Sequence, residues 1–326
     1  MNKIIIKIFP RIHISLIAMH DNGYRKNGGF GFAIRNPNLE VTFTKAVNFT
    51  IKDKRLKPLQ NIEIARAIET IDKIYDELNF DTKYHLEING KDIPTHTGFG
   101  TSTAIRLAMI EALFILNDYK YSKHDIVKFS KRGTTSGIGI NTYFDGGYVF
   151  DIGVKQDKSK LTPSSSENGK NIPLVIKSGD MPNWNIGICI PNSIINKTEE
   201  EELLFFNNTC PISDVQVNEV LYHILYGLVG SVNEADTIAF SKAINSIQKC
   251  TWKDAERKLY GEKLFDIEEK LYKCGACAVG MSSLGPTLFF LSENIDKTIS
   301  KAKSILSECL VFEASTQNKG RELVIS

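Results

Sequence analysis

The segment Pro94–Leu116, PTHTGFGTSTAIRLAMIEALFIL, constrains the fold more than any other. From Thr101 onward Ala104, Ile105, Leu107, Ala108, Ile110, Ala112, Leu113, Ile115 and Leu116 leave almost no polar face, so the helix they form is expected to be buried. A buried helix begins inside the protein, and its first backbone N–H groups need partners there. Thr101, Ser102 and Thr103 can cap it, while Gly98 and Gly100 let the backbone approach a ligand. Several N–H groups and the positive end of the helix dipole then converge on one point, an arrangement suited to phosphate. Neither G-x-x-x-x-G-K-S/T nor a G-x-G-x-x-G opening a helix of a βαβ unit is present. On residues alone the stretch is either a phosphate loop of another type or a capped helix after a glycine turn.

Enclosing such a helix takes a sizeable core, which 326 residues with 42% hydrophobic content can supply, in roughly two domains. Strand patterns occur in KIIIKIF, GFGFAI, EVTFTKAVNFT and YHLEING. Ile62, Ala65, Ile68, Ile71, Ile74 and Leu78 fall at helical spacing and define a solvent-facing amphipathic helix. Residues 155–183, rich in Ser, Lys, Asn and Pro, read as a connection between residues 1–154 and 184–326. The second part begins at WNIGICIP and shows helical segments near 215–230, 233–250 and 253–273. A strand at GPTLFFLS, a helix around 294–309 and strands at VFEAS and ELVIS follow. The class is α+β in two lobes.

Lys plus Arg number 40 against 38 for Asp plus Glu, a net charge of +2, so there is no broad basic field of the kind that nucleic-acid binding uses. An anionic ligand must be caught locally. No apolar stretch reaches the ~20 residues of a membrane span, and MNKIIIKIFP lacks a signal sequence's h-region and cleavage site. A cytoplasmic protein without membrane or nucleic-acid partners is expected. Six cysteines without a secretory signal argue against a disulfide framework. Cys274 and Cys277 form a C-x-x-C, but no second pair stands at zinc spacing, and the apolar residues after it favour buried thiols.

PTHTGFGTSTA, Pro94 to Ala104, resembles the central motif of the GHMP kinase superfamily (galactokinase, homoserine kinase, mevalonate kinase), and VGMSSLGPTLFF, Val279 to Phe290, resembles its C-terminal glycine motif. The resemblance implies a ribosomal protein S5 domain 2-like N-terminal domain, a ferredoxin-like C-terminal domain and an active site between them. The kinases also carry S-G-x-D, whose Asp is the base toward the substrate hydroxyl. Here the text is TTSGIGINTYFDGG, with Gly139 at that place and Lys128 near the place of the kinase magnesium-binding Glu. Glycine cannot take a proton.

Residues 10–34, together with HTGFGTSTAIRLA, KRGTTSGIGINTYFDGGYVFDIG and GMSSLGPT, are similar to a narrower family, the β-ribofuranosylaminobenzene 5′-phosphate synthases of methanopterin biosynthesis. That resemblance implies a Mg²⁺-dependent decarboxylating phosphoribosyltransferase. Phosphoribosyl pyrophosphate and an aromatic acid, 4-aminobenzoate or 4-hydroxybenzoate, would give a C-riboside, CO₂ and pyrophosphate. Thr134 departs from an expected second glycine after Arg132-Gly133. A C-nucleoside synthase acting on a heteroaromatic carboxylate, or an ATP-dependent small-molecule kinase, are the alternatives. A homodimer is compatible with such folds.

Within the matched motifs, the donor's charge calls for cations near the backbone loop. His96, Thr97, Gly98, Gly100, Thr101, Ser102 and Thr103 would hold the pyrophosphate, with Ser102 and Thr103 meeting the metal. Arg11, His13, Arg106, Lys128 and Arg132 are the candidate cationic partners, with Arg11 and His13 expected to act on the reacting groups. Arg132, Thr134, Thr135, Ser136 and Asn141 would bind the 5-phosphate or the ribose hydroxyls. Gly28 and Gly29 in NGGFGF would line the same cleft. Asp145 is a candidate carboxylate for metal or ribose, and His20 a candidate orienting group.

Overall fold

The computed structural model describes residues 2–55, 58–90, 97–133, 135–157, 159–163 and 172–326. The first lobe begins with β1 (Lys3–Ile8), β2 (Arg11–Ala18), β3 (Arg25–Ala33), β4 (Leu39–Ala46) and β5 (Thr50–Asp53). Then come α1 (Asn61–Glu77), β6 (Lys83–Asn89), α2 (Thr101–Leu116), α3 (Lys123–Ser130), α4 (Ile138–Asp145), β7 (Tyr148–Asp151), β8 (Val154–Lys155) and β9 (Val175–Gly179). The second lobe comprises β10 (Asn185–Pro191), α5 (Glu199–Thr209), α6 (Asp214–Tyr222), a π-helical stretch His223–Val229, α7 (Gly230–Glu234), α8 (Thr237–Ile247), α9 (Thr251–Lys258), α10 (Glu262–Cys274), β11 (Ala278–Met281), β12 (Leu288–Leu291), α11 (Ile295–Ile305) and β13 (Cys309–Ser315). The last strand, β14 (Glu322–Ile325), returns to the first lobe, where it pairs antiparallel with β1.

Among the described residues three sheets form, ordered β14-β1-β4-β6-β5, β2-β3-β7-β9 with β8 beside β3, and β11-β12-β10-β13. Alternation in KIIIKI buries Ile4, Ile6 and Ile8 on one face of β1, and α2 packs on that sheet. α2 is buried on nearly every side, as its composition requires. Its one carboxylate, Glu111, is fully buried but saturated. It accepts from Arg321 Nε at 2.9 Å and from a second nitrogen of the same guanidinium, from Tyr143 Oη at 2.7 Å and from Tyr121 Oη at 3.0 Å. The returning C-terminal segment therefore neutralises the charge that the central helix buries.

Several elements differ from the sequence reading. Residues 155–183, expected as a connection, include β9, which extends the second sheet against β7. The helical run near 215–230 continues through the π-helical stretch to Glu234, and the run 253–273 breaks at Gly261 between α9 and α10. α5, capped by the Thr198 side chain on Glu201 N–H, was not foreseen. The C-x-x-C does not hold two buried thiols. Cys274 is buried at the end of α10, whereas Cys277 lies exposed past the turn at Gly275.

Candidate functional site

Three segments distant in sequence are laced together at the lobe junction. Arg11 N–H donates to Phe99 C=O at 3.1 Å, and an Arg11 Nη donates to Gly98 C=O, which seats the start of β2 against the glycine loop. His13 N–H donates to Ser282 Oγ at 3.1 Å, and Ser282 Oγ donates in turn to Gly98 C=O at 2.8 Å. Ser283 N–H completes the knot by donating to His13 C=O at 2.7 Å. The approach is so close that a Cβ on Gly98, whose φ is +95°, would lie 2.2 Å from Ser282 O. Only glycine can occupy that position.

The cleft beside this knot is lined by Gly98, Gly100, Thr101, Ser102, Thr103, Arg132, Thr135 and Ser136, together with Arg11 and His13. The expected side-chain caps on α2 are not made. Its N-cap is Gly100, left-handed at φ 71°, and among the described residues no side chain caps it. With no capping side chain intervening, the first turn of α2 and its hydroxyls face the cleft, where its positive dipole end favours an anion.

The second glycine loop supplies the opposite wall. Ser136 Oγ donates to Asp151 Oδ2 at 3.3 Å and stands 3.3 Å from His13 Nε2, so the hydroxyl links a buried imidazole to a buried carboxylate. Asp151 also accepts from the N–H groups of Gly137 at 3.0 Å and Gly153 at 2.9 Å. Burial nevertheless pushes its pKa up to about 7. Burial, with the charges of Arg11 and Lys253, holds the His13 imidazole well below its usual range, so it is neutral at physiological pH. Burial brings Arg11 down to about 10, which leaves it cationic.

Gly139 faces the cleft, and a Cβ placed there would meet only Thr103 Cγ2 at 3.9 Å. Its backbone does not need glycine, because it sits in the first turn of α4. The absent side chain serves space.

Other expected residues lie elsewhere. Asp145 is at the exposed end of α4, paired with Lys123 Nζ at 2.5 Å, and does not line the cleft. Asn141 is within α4, where its amide donates to Gly137 C=O at 2.7 Å and its carbonyl accepts from the same lysine. Arg106 is one turn beyond the loop, on the Ser130 carbonyl side of α2, although its charge is felt near Arg132. Gly28 and Gly29 support the cleft from behind. Gly28 N–H donates to Thr135 C=O at 3.2 Å, and a Cβ on Gly29 would come within 3.1 Å of His13 Nε2. Thr97 is buried and its carbonyl accepts from Thr287 N–H at 3.3 Å. Lys128 is exposed over Phe129, and His20 pairs with Asp214. His96 and Thr134 lie outside the described residues.

Sequence reasoning missed the contribution of the second lobe's helices. Glu199 and Glu202 of α5, with Lys197 just before it, line the cleft. α9 brings Lys253 and Glu256, both buried, to the same place. Lys253 Nζ donates to Glu256 at 2.5 Å and to Ser283 C=O at 2.7 Å, while Trp252 Nε1 donates to Glu256 at 2.8 Å. In sequence, TWKDAERK resembles any surface helix. No spacing signal could have marked it.

Comparison with known proteins agrees with this architecture. The GHMP kinases N terminal domain family matches residues 62–145. The chain is 29% identical over 324 residues to a protein of Archaeoglobus fulgidus named beta-ribofuranosylphenol 5'-phosphate synthase, covering 97% of each. A protein of the same name from Methanothermobacter thermautotrophicus is 26% identical, covering 99% of each. Among solved structures, the homoserine kinase of Cytophaga hutchinsonii superposes with a TM-score of 0.66 at 18% identity, covering 98% of this chain and 97% of that one. An L. major mevalonate kinase, solved with R-mevalonate, superposes with a TM-score of 0.68 at 14% identity, covering 96% of each. These two likenesses show the fold expected from the motifs.

Proposed function

We propose that this chain, similar along nearly its whole length to proteins named beta-ribofuranosylphenol 5'-phosphate synthase, is a pentosyltransferase of that kind and transfers a phosphoribosyl group from phosphoribosyl pyrophosphate to the carboxylated carbon of 4-hydroxybenzoate or 4-aminobenzoate. The observation that carries this reading is the pairing of an uncapped α2 N-terminus with the open space at Gly139. The first suits a pyrophosphate. The second removes the base a kinase needs and leaves room for a flat ring.

The bond from ribose C1 to the pyrophosphate oxygen breaks, and its electron pair leaves with pyrophosphate. The ring carbon bearing the carboxylate attacks C1, and loss of CO₂ returns the C–C electron pair to the ring. No net proton transfer to a hydroxyl is involved, in keeping with a neutral His13 held by Ser136. Arg11, Arg132 and the α2 N–H groups would stabilise the departing charge. Ser136 and Thr135 would meet the ribose 5-phosphate end. The oxygen-only donors nearest the loop, the hydroxyls of Ser102 and Thr103 and the carboxylates of Glu199 and Glu202, fit Mg²⁺ shared with substrate phosphates. When bound, that ion would supply charge neutralisation on the leaving group.

The test is a reaction with phosphoribosyl pyrophosphate, Mg²⁺ and either benzoate. CO₂ and pyrophosphate should appear in equal amounts, without ATP, and a chelator should stop both. ATP turnover with a hydroxylated metabolite, and no CO₂ from a panel of aromatic and heteroaromatic acids, would establish a kinase instead.

A further inference from the structure

Away from the cleft, Glu219 on α6, His223 at the start of the π-helical stretch and Cys250 at the N-cap of α9 bring a carboxylate oxygen, an imidazole nitrogen and a thiol sulfur within 4.8 Å of one another. Glu219 and His223 are four residues apart on one helical face, a spacing that points both side chains the same way. Cys250 comes from a different helix, and the seam between the two helices is already closed beside it, where Gln216 Nε2 donates to Thr251 Oγ1 at 2.8 Å. The helix widens from α to π hydrogen bonding at His223, an irregularity that often marks ligand sites.

We propose that Glu219, His223 and Cys250 form a binding site for a zinc-class divalent cation. The mixed sulfur, nitrogen and oxygen donors suit Zn²⁺ and disfavour Mg²⁺ or Ca²⁺, which take oxygen ligands. Tetrahedral bonds of about 2.0–2.3 Å place ligand atoms roughly 3.5 Å apart, so a rotamer adjustment of Glu219, which is exposed, and His223, which is half-buried, closes the site. Cys250 is the fixed point, buried where α9 begins. Three protein ligands leave a fourth position for water. The ion would staple α6 to α9, three residues before Lys253 reaches the cleft.

The experiment strips the full-length chain with chelator, equilibrates it with Zn²⁺, and counts metal retained per chain; Co²⁺ is used in parallel to look for a thiolate-to-cobalt charge-transfer band. The wild type should retain one ion and show the band. Cys250→Ala and His223→Ala should lose both, whereas Cys277→Ser should keep both. Should either core variant fail to fold by circular dichroism, Glu219→Gln, at an exposed position, should still lower the affinity several-fold. A wild type that retains no metal overturns the proposal, as does a folded Cys250→Ala that binds Co²⁺ with the band intact.

Discussion

Two of the buried charged clusters in this molecule are built on opposite principles. Within α2, Glu111 is met by one guanidinium and two phenol hydroxyls, so every lone pair has a donor and the charge is balanced. At the lobe junction Arg11, Arg132 and Lys253 stand among the buried carboxylates Glu256 and Asp151, the cleft-lining Glu199 and Glu202, and a neutral imidazole. Arg11 Nε has no hydrogen-bond partner among the described residues. The first cluster is complete in the folded chain. The second leaves a buried guanidinium nitrogen unsatisfied beside a cleft, a state that an anionic ligand would relieve. Closure on itself marks structure, and incompleteness facing a cleft marks binding.

The sharpest way to break this contrast is Glu111→Ala. It strands the Arg321 guanidinium and two phenols, and should cost about 3–5 kcal/mol of stability while leaving donor affinity of the folded fraction unchanged. Thermal melts and a donor titration check both halves; a change in donor affinity would dissolve the distinction. Arg132→Ala should do the reverse. It should weaken phosphoribosyl pyrophosphate binding by about 1.5–3 kcal/mol with little change in melting temperature. An unaltered donor KM would remove Arg132 from the site.

Asp151 sharpens the comparison through pH. Its folded pKa, about 7, lies above its unfolded value, so the native state holds a proton that the unfolded chain gives up. That contribution is full below about pH 4 and is lost as pH rises through about 7. Between pH ~5 and ~8 the wild type should lose on the order of 2 kcal/mol relative to Asp151→Asn, measured by urea unfolding. Parallel curves would mean that its three hydrogen bonds keep the carboxylate ionised throughout. The smallest effect is expected at Gly139→Ala. Because the new methyl has open space, it should raise stability by about 0.5–1 kcal/mol yet lower turnover by intruding on the acceptor. Unchanged turnover would mean the space at Gly139 is unused.

By itself the sequence determined what depends on neighbours along the chain. The apolar run after Thr101 compels a buried helix, the glycines at 98 and 100 compel a loop that backbone or ligand can approach, and the pattern of KIIIKI compels a half-buried strand. A glycine at 139, with no carboxylate to offer, was equally legible, being one residue type at one place in the sequence. Where Asp145 and Asn141 point was not legible, because the direction of a helix decides it: α4 turns both toward Lys123. Only the tertiary structure decided that Ser282 would brace Gly98, that Ser136 would join His13 to Asp151, and that α9 would deliver Lys253 and Glu256. Those pairings span long sequence separations. Nothing local favours them, since a hydroxyl, a lysine or a glutamate is content in water until the packing of two lobes removes the water and makes each seek a partner.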